Sequence, residues 1–196
     1  MIYIFGDSFA EPCASNHDYL WYKNISAEKK VHYGKSATGP IYTMGKVYEC
    51  IESQYITPED KMVVMLSDPK REDHYDGMHL RMCLANYIYF LKSYSEQYKV
   101  RIIVFTCFAK MLDPKMVENI DSFHFRFYPN SLSWISANEI GEEIPERDLR
   151  SNHFKKKNHL VLAGIIRNHF YGQTNPEIWD MKTDTFYPSS EFIYDA

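Results

Sequence analysis

The chain has 196 residues, a hydrophobic fraction of 45% and a formal net charge of −4 at pH 7. A chain of this length forms one domain or two small ones. Its mild acidity argues against a dedicated nucleic-acid binder, which usually carries a basic stripe. Its longest apolar run, residues 62–66, is far shorter than the ~18 residues of a membrane span. Residues 1–5 lack the basic region of a signal peptide. We therefore expect a cytoplasmic protein without nucleic-acid or membrane partners, and no feature predicts its oligomeric state.

Strands and helices alternate in the first half of the chain. Residues 2–5 are a short apolar run ended by Gly6, which predicts a buried strand, and a short helix is predicted at 17–26. A second strand is expected at 31–33, ended by Gly34, and Pro40 is suited to begin a helix. Residues 61–66 predict a third strand that is apolar on both faces.

The second half of the chain continues this alternation. A long helix is predicted at 80–98, a fourth strand at 100–105 and a short helix at 114–120. Residues 123–127 alternate and predict a fifth strand, and 156–170 predict another helix. The segment from residue 172 onward has no clear period.

Apolar strands that alternate with helices indicate a parallel sheet covered on both faces. We therefore expect an α/β fold with three α/β/α layers, a five-stranded parallel sheet and a flavodoxin-like topology. No internal repeat or linker divides the sequence. The expected organisation is one domain at residues 1–171, with a C-terminal extension at 172–196 that packs on it.

The first candidate site follows the first predicted strand, where the sequence reads Gly6-Asp7-Ser8. In parallel sheets, functional groups collect at the carboxyl ends of strands. A serine on a tight turn that leads into a helix would lie in that crevice, where backbone N–H groups can stabilise an oxyanion. The alternative interpretation is an ordinary strand-to-helix turn with Asp7 or Ser8 as the helix N-cap.

A histidine in the sequence Asn152-His153 precedes the last predicted helix. Together with the early Gly-Asp-Ser turn, it resembles the blocks of the GDSL or SGNH hydrolase family. The resemblance implies an SGNH-like fold, with Ser8 as the nucleophile, Asp7 shaping its turn and His153 as the general base. It also implies that the N–H groups of Ser8 and Gly39 hold the oxyanion, with Gly34 as the second choice for the glycine. No metal or organic cofactor is implied.

Two blocks depart from the family pattern. The third block normally supplies an asparagine donor, but here the strand is followed by Ser67 and Asp68. Loss of one oxyanion donor costs about 3–4 kcal/mol in serine hydrolases, and the Ser67 hydroxyl is the expected substitute. The family also places an aspartate three residues before the histidine, where this chain has Arg150. The nearest upstream acid is Asp148, and the alternative is a Ser-His dyad.

Positive residues surround the candidate histidine. They are Arg147, Arg150, Lys155, Lys156 and Lys157, and Arg71 follows the third predicted strand. One interpretation is a basic rim that attracts an anionic substrate, with Arg71 and Arg150 as substrate-binding residues. The other is a solvated run that is balanced by Glu142, Glu143 and Glu146.

The remaining histidines predict no further chemistry. The residues Asp73, His74, Asp76 and His79 have a spacing that fits no metal motif, so a charged surface loop is expected there. His159, within the last predicted helix, is expected to cap or pack rather than to catalyse.

The favoured hypothesis is a serine-dependent hydrolase that acts on a small acyl ester. The main alternative is an SGNH-fold binding protein with little or no turnover, motivated by the missing asparagine and the displaced aspartate. A third hypothesis is a flavodoxin-like module whose Gly-Asp-Ser loop binds phosphate at a helix N-terminus.

Overall fold

The computed structural model describes residues 1–12, 18, 20–26, 28–53, 55–67, 77–107, 117, 119–128, 132 and 156–172. They belong to two compact units, one built from residues 1–12 and 28–131 and the other from residues 13–27 and 132–196. The first unit contains the sheet, and the second contains the last described helix.

The first unit is built on a five-stranded sheet in which all pairs are parallel. Its strands are β1 (Ile2–Gly6), β2 (Lys30–Gly34), β3 (Lys61–Leu66), β4 (Arg101–Thr106) and β5 (Phe125–Tyr128). They lie in the order β2-β1-β3-β4-β5, which is the flavodoxin-like order. The prediction of an α/β fold with a five-stranded parallel sheet is therefore confirmed.

Two helices of this unit, α1 (Pro40–Glu52) and α2 (Gly77–Tyr98), share a hydrophobic core with one face of the sheet. Alternate strand residues such as Phe5, Val64 and Val104 pack in this core against Val47 of α1 and Ile88 of α2. The intervening strand residues are also buried: Ile2, Ile4, Val63, Met65, Ile103 and Phe105. Burial of both faces explains why β1, β3 and β4 are continuous apolar runs.

The second unit contains a 3-10 turn at Trp21–Lys23 and the helix α3 (Lys156–Tyr171). The buried residues of α3 recur at helical spacing, as His159, Leu162, Ala163, Ile166 and Phe170. His159 is buried within this row, as expected of a histidine that packs. None of the helices in the described ranges is long and apolar enough to cross a membrane.

Two predicted elements differ from the structure. In place of a helix at 17–26, the described residues contain only the 3-10 turn, because the backbone of Leu20 is extended, with φ −56° and ψ 132°, and the turn ends at Lys23. The Asn24 side-chain amide also donates to the carbonyl of Leu20 at 3.0 Å, which competes with helical hydrogen bonding. Strand β5 begins at Phe125 rather than at residue 123, because the Phe125 N–H donates to Ser122 Oγ. The predicted helix at 114–120 lies largely outside the described residues.

Candidate active site at the carboxyl edge of the sheet

The turn after β1 begins with a glycine that the packing requires. Gly6 has a φ of +151°, and a Cβ atom there would lie 2.7 Å from the carbonyl oxygen of Met65 on β3. Any side chain would therefore be strained by its backbone conformation and would clash with the neighbouring strand. Glycine allows β1 to end tightly against β3 and the chain to turn immediately.

Asp7 closes this turn with both its backbone and its side chain. Its carbonyl oxygen accepts the N–H groups of Ala10 and Glu11, each at 3.0 Å. Its carboxylate oxygen Oδ1 accepts the Phe9 N–H, also at 3.0 Å. Residues 8–10 form a turn, and no helix begins within residues 7–12. The expectation that the serine turn leads directly into a helix is therefore wrong for these residues. The hydrogen bonds to Asp7 close a single turn that does not continue as a helix within residues 7–12.

Ser8 is distinguished from its neighbours by its exposure. Asp7, Phe9 and Ala10 are buried, with exposed fractions of 0%, 2% and 0%. Ser8 is partly exposed, the only residue of 7–10 that is not buried. The turn therefore presents one side chain at the surface, and that side chain is the predicted nucleophile.

The serine turn is clamped to the end of β2. A Cβ atom on Gly34 would lie 2.3 Å from the carbonyl carbon of Ala10 and 2.4 Å from the Glu11 nitrogen, so the two backbones touch. The Glu11 carboxylate also accepts hydrogen bonds from the backbone N–H and the hydroxyl of Ser36. This gives Gly34, the second choice for the oxyanion glycine, a packing role at the base of the serine turn.

His32 on β2 adds a further contact to this clamp. Its Nδ1 lies 3.0 Å from the carbonyl oxygen of Ala10, and because a carbonyl only accepts, Nδ1–H is the donor. Burial lowers the pKa of His32, and the charge of Lys30 lowers it further, while the bond to Ala10 raises it. The imidazole is therefore biased toward its neutral form, in which the Nδ1 proton is retained for the turn.

Ser67 follows β3 at the same edge of the sheet. Gly6 pairs with Met65 in the sheet, so Ser8 and Ser67 each lie two residues beyond paired positions on neighbouring strands. The Ser67 side chain is completely buried, and its Oγ has no hydrogen-bond partner among the described residues. An unpaired buried hydroxyl costs about 1–3 kcal/mol, which makes Ser67 a candidate for hydrogen bonding to a ligand at this edge.

Helix α1 starts at this edge, after β2. Gly39 is its N-cap and is extended, with φ −91° and ψ −179°, and Pro40 occupies the first helical turn. The Gly39 carbonyl accepts the Thr43 N–H at 3.4 Å. The Thr43 hydroxyl is buried and, in the described part of the chain, unpartnered. Sequence reasoning missed Thr43, because the burial of its hydroxyl depends on packing that the sequence does not show.

The strand order of the sheet favours a ligand-binding site at this carboxyl edge. The chain leaves β1 for β2 on one side and returns to β3 on the other, so a topological switch lies between β1 and β3. Ligands of open α/β sheets bind in the crevice at such a switch, outside the carboxyl ends of the strands. Ser8 and Ser67 directly follow these two strands.

The other predicted site residues, Asp148, His153, Arg150 and Arg71, lie outside the described residues. Among the residues that are described, the structure brings Asp7, Ser8, Gly39 and Ser67 to one edge of one sheet. No group of three or more His, Cys, Asp or Glu side chains in that described set could hold a metal ion.

The chain was compared with known proteins at three levels. No protein-family model, no curated protein and no solved structure matches it.

Proposed function

We propose that the chain is a serine-dependent ester hydrolase of the SGNH type, with Ser8 as its nucleophile. The observation that carries the proposal is the Ser8 turn at the switch between β1 and β3, a buried and clamped turn with one partly exposed residue. A nucleophile needs this combination, because a rigid backbone positions the hydroxyl while exposure gives the substrate access.

The proposed reaction begins when Ser8 Oγ attacks the acyl carbonyl and His153 accepts its proton. The oxyanion is held by the N–H groups of Ser8 and Gly39 and by the Ser67 hydroxyl, which takes the place of the family's asparagine. The carbon–oxygen bond to the alcohol then breaks, and His153 returns the proton to the leaving oxygen. Water, deprotonated by His153, then attacks the acyl carbon, the bond from that carbon to Ser8 Oγ breaks, and His153 returns the proton to Ser8 as the acid leaves. Asp148 orients the imidazole.

The proposed substrate is a small acyl ester. The positive residues that flank His153 in the sequence, together with Arg71, favour an ester that carries a phosphate or carboxylate. Such a preference weakens as salt rises, since charges separated by more than ~10 Å are screened at 0.1 M ionic strength.

Labelling with a fluorophosphonate, followed by peptide mapping, tests the nucleophile directly. We expect label on Ser8 and nowhere else, and we expect Ser8→Ala and His153→Ala each to abolish turnover of a short-chain aryl ester. Ser53→Ala is the matched control, because Ser53 is an exposed serine that caps the end of α1. Labelling that persists in Ser8→Ala would overturn the proposal. Saturable ester binding without labelling or turnover would instead support the SGNH-fold binding protein.

A further inference from the structure

The second unit contains an open depression of about 450 Å³. Its lining comes from the segment after the 3-10 turn and from the last turns of α3, as Lys23, Asn24, Ile25, Ser26, Arg167 and Tyr171. Arg167 and Tyr171 are four residues apart on α3, so they lie on the same face of the helix. The volume lies within the range of small-molecule sites, roughly 300–1,000 Å³.

The segment that carries Lys23 is firmly held. Leu20, Trp21 and Ile25 are buried, with exposed fractions of 0%, 1% and 1%. The Asn24 side-chain amide donates to the carbonyl oxygens of Asp18 and Leu20, at 2.6 and 3.0 Å. A pre-formed wall reduces the ordering cost that a ligand would meet on binding.

The charge of the depression is one-sided. Among the described residues, its lining includes two cations, Lys23 and Arg167, and no carboxylate, although the whole chain is acidic. Arg167 is partly buried and forms no ion pair or hydrogen bond within the described ranges. Lys23 pairs with Asp18, whose Oδ1 lies 3.7 Å from its Nζ on a fully exposed side chain. A partly buried guanidinium without a carboxylate partner indicates that an anion completes this site.

We infer that this depression binds the phosphate or carboxylate group of a small organic molecule, between Arg167 and Lys23. The planar guanidinium matches two oxygens of such a group, and the ammonium adds a compact second charge. Ser26 and Tyr171 supply hydroxyl groups, and the Tyr171 ring and Ile25 supply apolar surface for the organic part. This site is independent of Ser8 and of the proposed hydrolase activity.

The test uses the full chain, with phenyl phosphate and benzoate as probes and phenol as the uncharged control. In calorimetric titrations, we expect saturable binding of at least one of the two anions and none of phenol. Arg167→Gln should weaken that binding at least about tenfold, since a charge-assisted bidentate contact is lost. Lys23→Gln should weaken it less, and Arg167→Lys should restore part of the affinity. Arg81→Gln, an exposed arginine on α2, is the matched control and should change nothing.

A protection experiment on the unaltered protein covers the case in which Arg167→Gln does not fold. The bound anion should slow modification of Arg167 by phenylglyoxal, as read by peptide mass mapping, and should leave the modification of Arg81 unchanged. Absence of saturable binding of both anions, or equal protection of both arginines, would overturn the inference. Neither result bears on the labelling of Ser8.

Discussion

The two edges of the sheet handle their polar groups differently. At the amino edge, Asp121 precedes β5 and accepts the N–H of Phe127, the third residue of that strand, at 2.9 Å, with a side chain that is 43% exposed and paired with Arg126. At the carboxyl edge, the Asp7 side chain also accepts a backbone N–H but is fully buried, and the buried Ser67 hydroxyl lies at the same edge. A carboxylate can therefore bind a nearby backbone N–H without being buried, so this hydrogen bond alone does not require the burial of Asp7. Buried polar groups in a crevice are what a binding site requires.

Breaking the clamp beneath the serine turn should have the largest effect. Gly34→Ala places a Cβ against the Ala10–Glu11 backbone, which cannot yield as a flexible side chain would. We expect the free energy of unfolding to fall by at least about 3 kcal/mol, as measured by urea denaturation. Gly45→Ala is the control, because a Cβ there meets nothing within 4 Å and the position lies inside α1. That substitution should instead stabilise the chain by about 0.5–1 kcal/mol. Equal effects would show that the close approach does not hold the turn.

Removing the Ser67 hydroxyl should lower turnover without lowering the free energy of unfolding. Ser67→Ala deletes a buried oxygen that has no partner among the described residues, so the free energy of unfolding should stay constant or rise. If this hydroxyl holds the oxyanion, turnover and fluorophosphonate labelling should fall by roughly 10²–10³-fold. The measurements are urea denaturation and labelling rates on the same preparations. A variant that loses stability but labels normally would give Ser67 a packing role only.

The two aspartates allow a direct comparison between the edges. Asp7→Ala leaves the Phe9 N–H without its acceptor in a buried turn and should cost about 2–3 kcal/mol of unfolding free energy. Asp121→Ala removes an exposed acceptor from the Phe127 N–H and should cost about 1 kcal/mol. Only the first variant should also lose labelling at Ser8. If both variants cost the same, burial of Asp7 would add nothing to the turn.

Much of the fold follows from local patterns in the sequence. Strands β1 and β2 were predictable from apolar runs that end at Gly6 and Gly34, and α1 from Pro40 followed by helical spacing. The start of β5 was not predictable, because the Phe125 N–H donates to the Ser122 hydroxyl. Hydrophobic periodicity does not reveal a hydrogen bond of this kind. The helix predicted at 17–26 was wrong for a related reason, since the Asn24 side-chain amide donates to the carbonyl oxygens of Asp18 and Leu20.

The candidate site was predictable only in part. Asp7 and Ser8 were singled out by their place directly after the first predicted strand together with the later Asn152-His153 block, and the strand order places Asp7 and Ser8 at the switch between β1 and β3. The contact of Gly34 with Ala10 was not predictable, because it depends on the register of two strands and on the path of the loop that joins them. Thr43 was missed since its importance lies in a buried and unpartnered hydroxyl, which is a property of packing.

The smallest expected effect concerns the pH dependence of the clamp. Burial lowers the pKa of His32 in the folded state, so folding disfavours the protonated imidazole. The stability that His32 contributes is therefore fully present above its unfolded pKa of about 6.5 and is lost as pH falls below that value. His32→Asn keeps a side-chain N–H near the position of Nδ1 but does not titrate. The loss of unfolding free energy between about pH 7.5 and about pH 5 should then be smaller in this variant.

His169→Asn is the control for this measurement, because His169 is a partly buried histidine of α3 in the other unit. Urea denaturation at both pH values measures the difference for each variant. An identical pH dependence of the unaltered protein and His32→Asn would contradict the assignment. It would mean that protonation of His32 does not weaken its bond to Ala10, and that the pH dependence of stability arises from other groups.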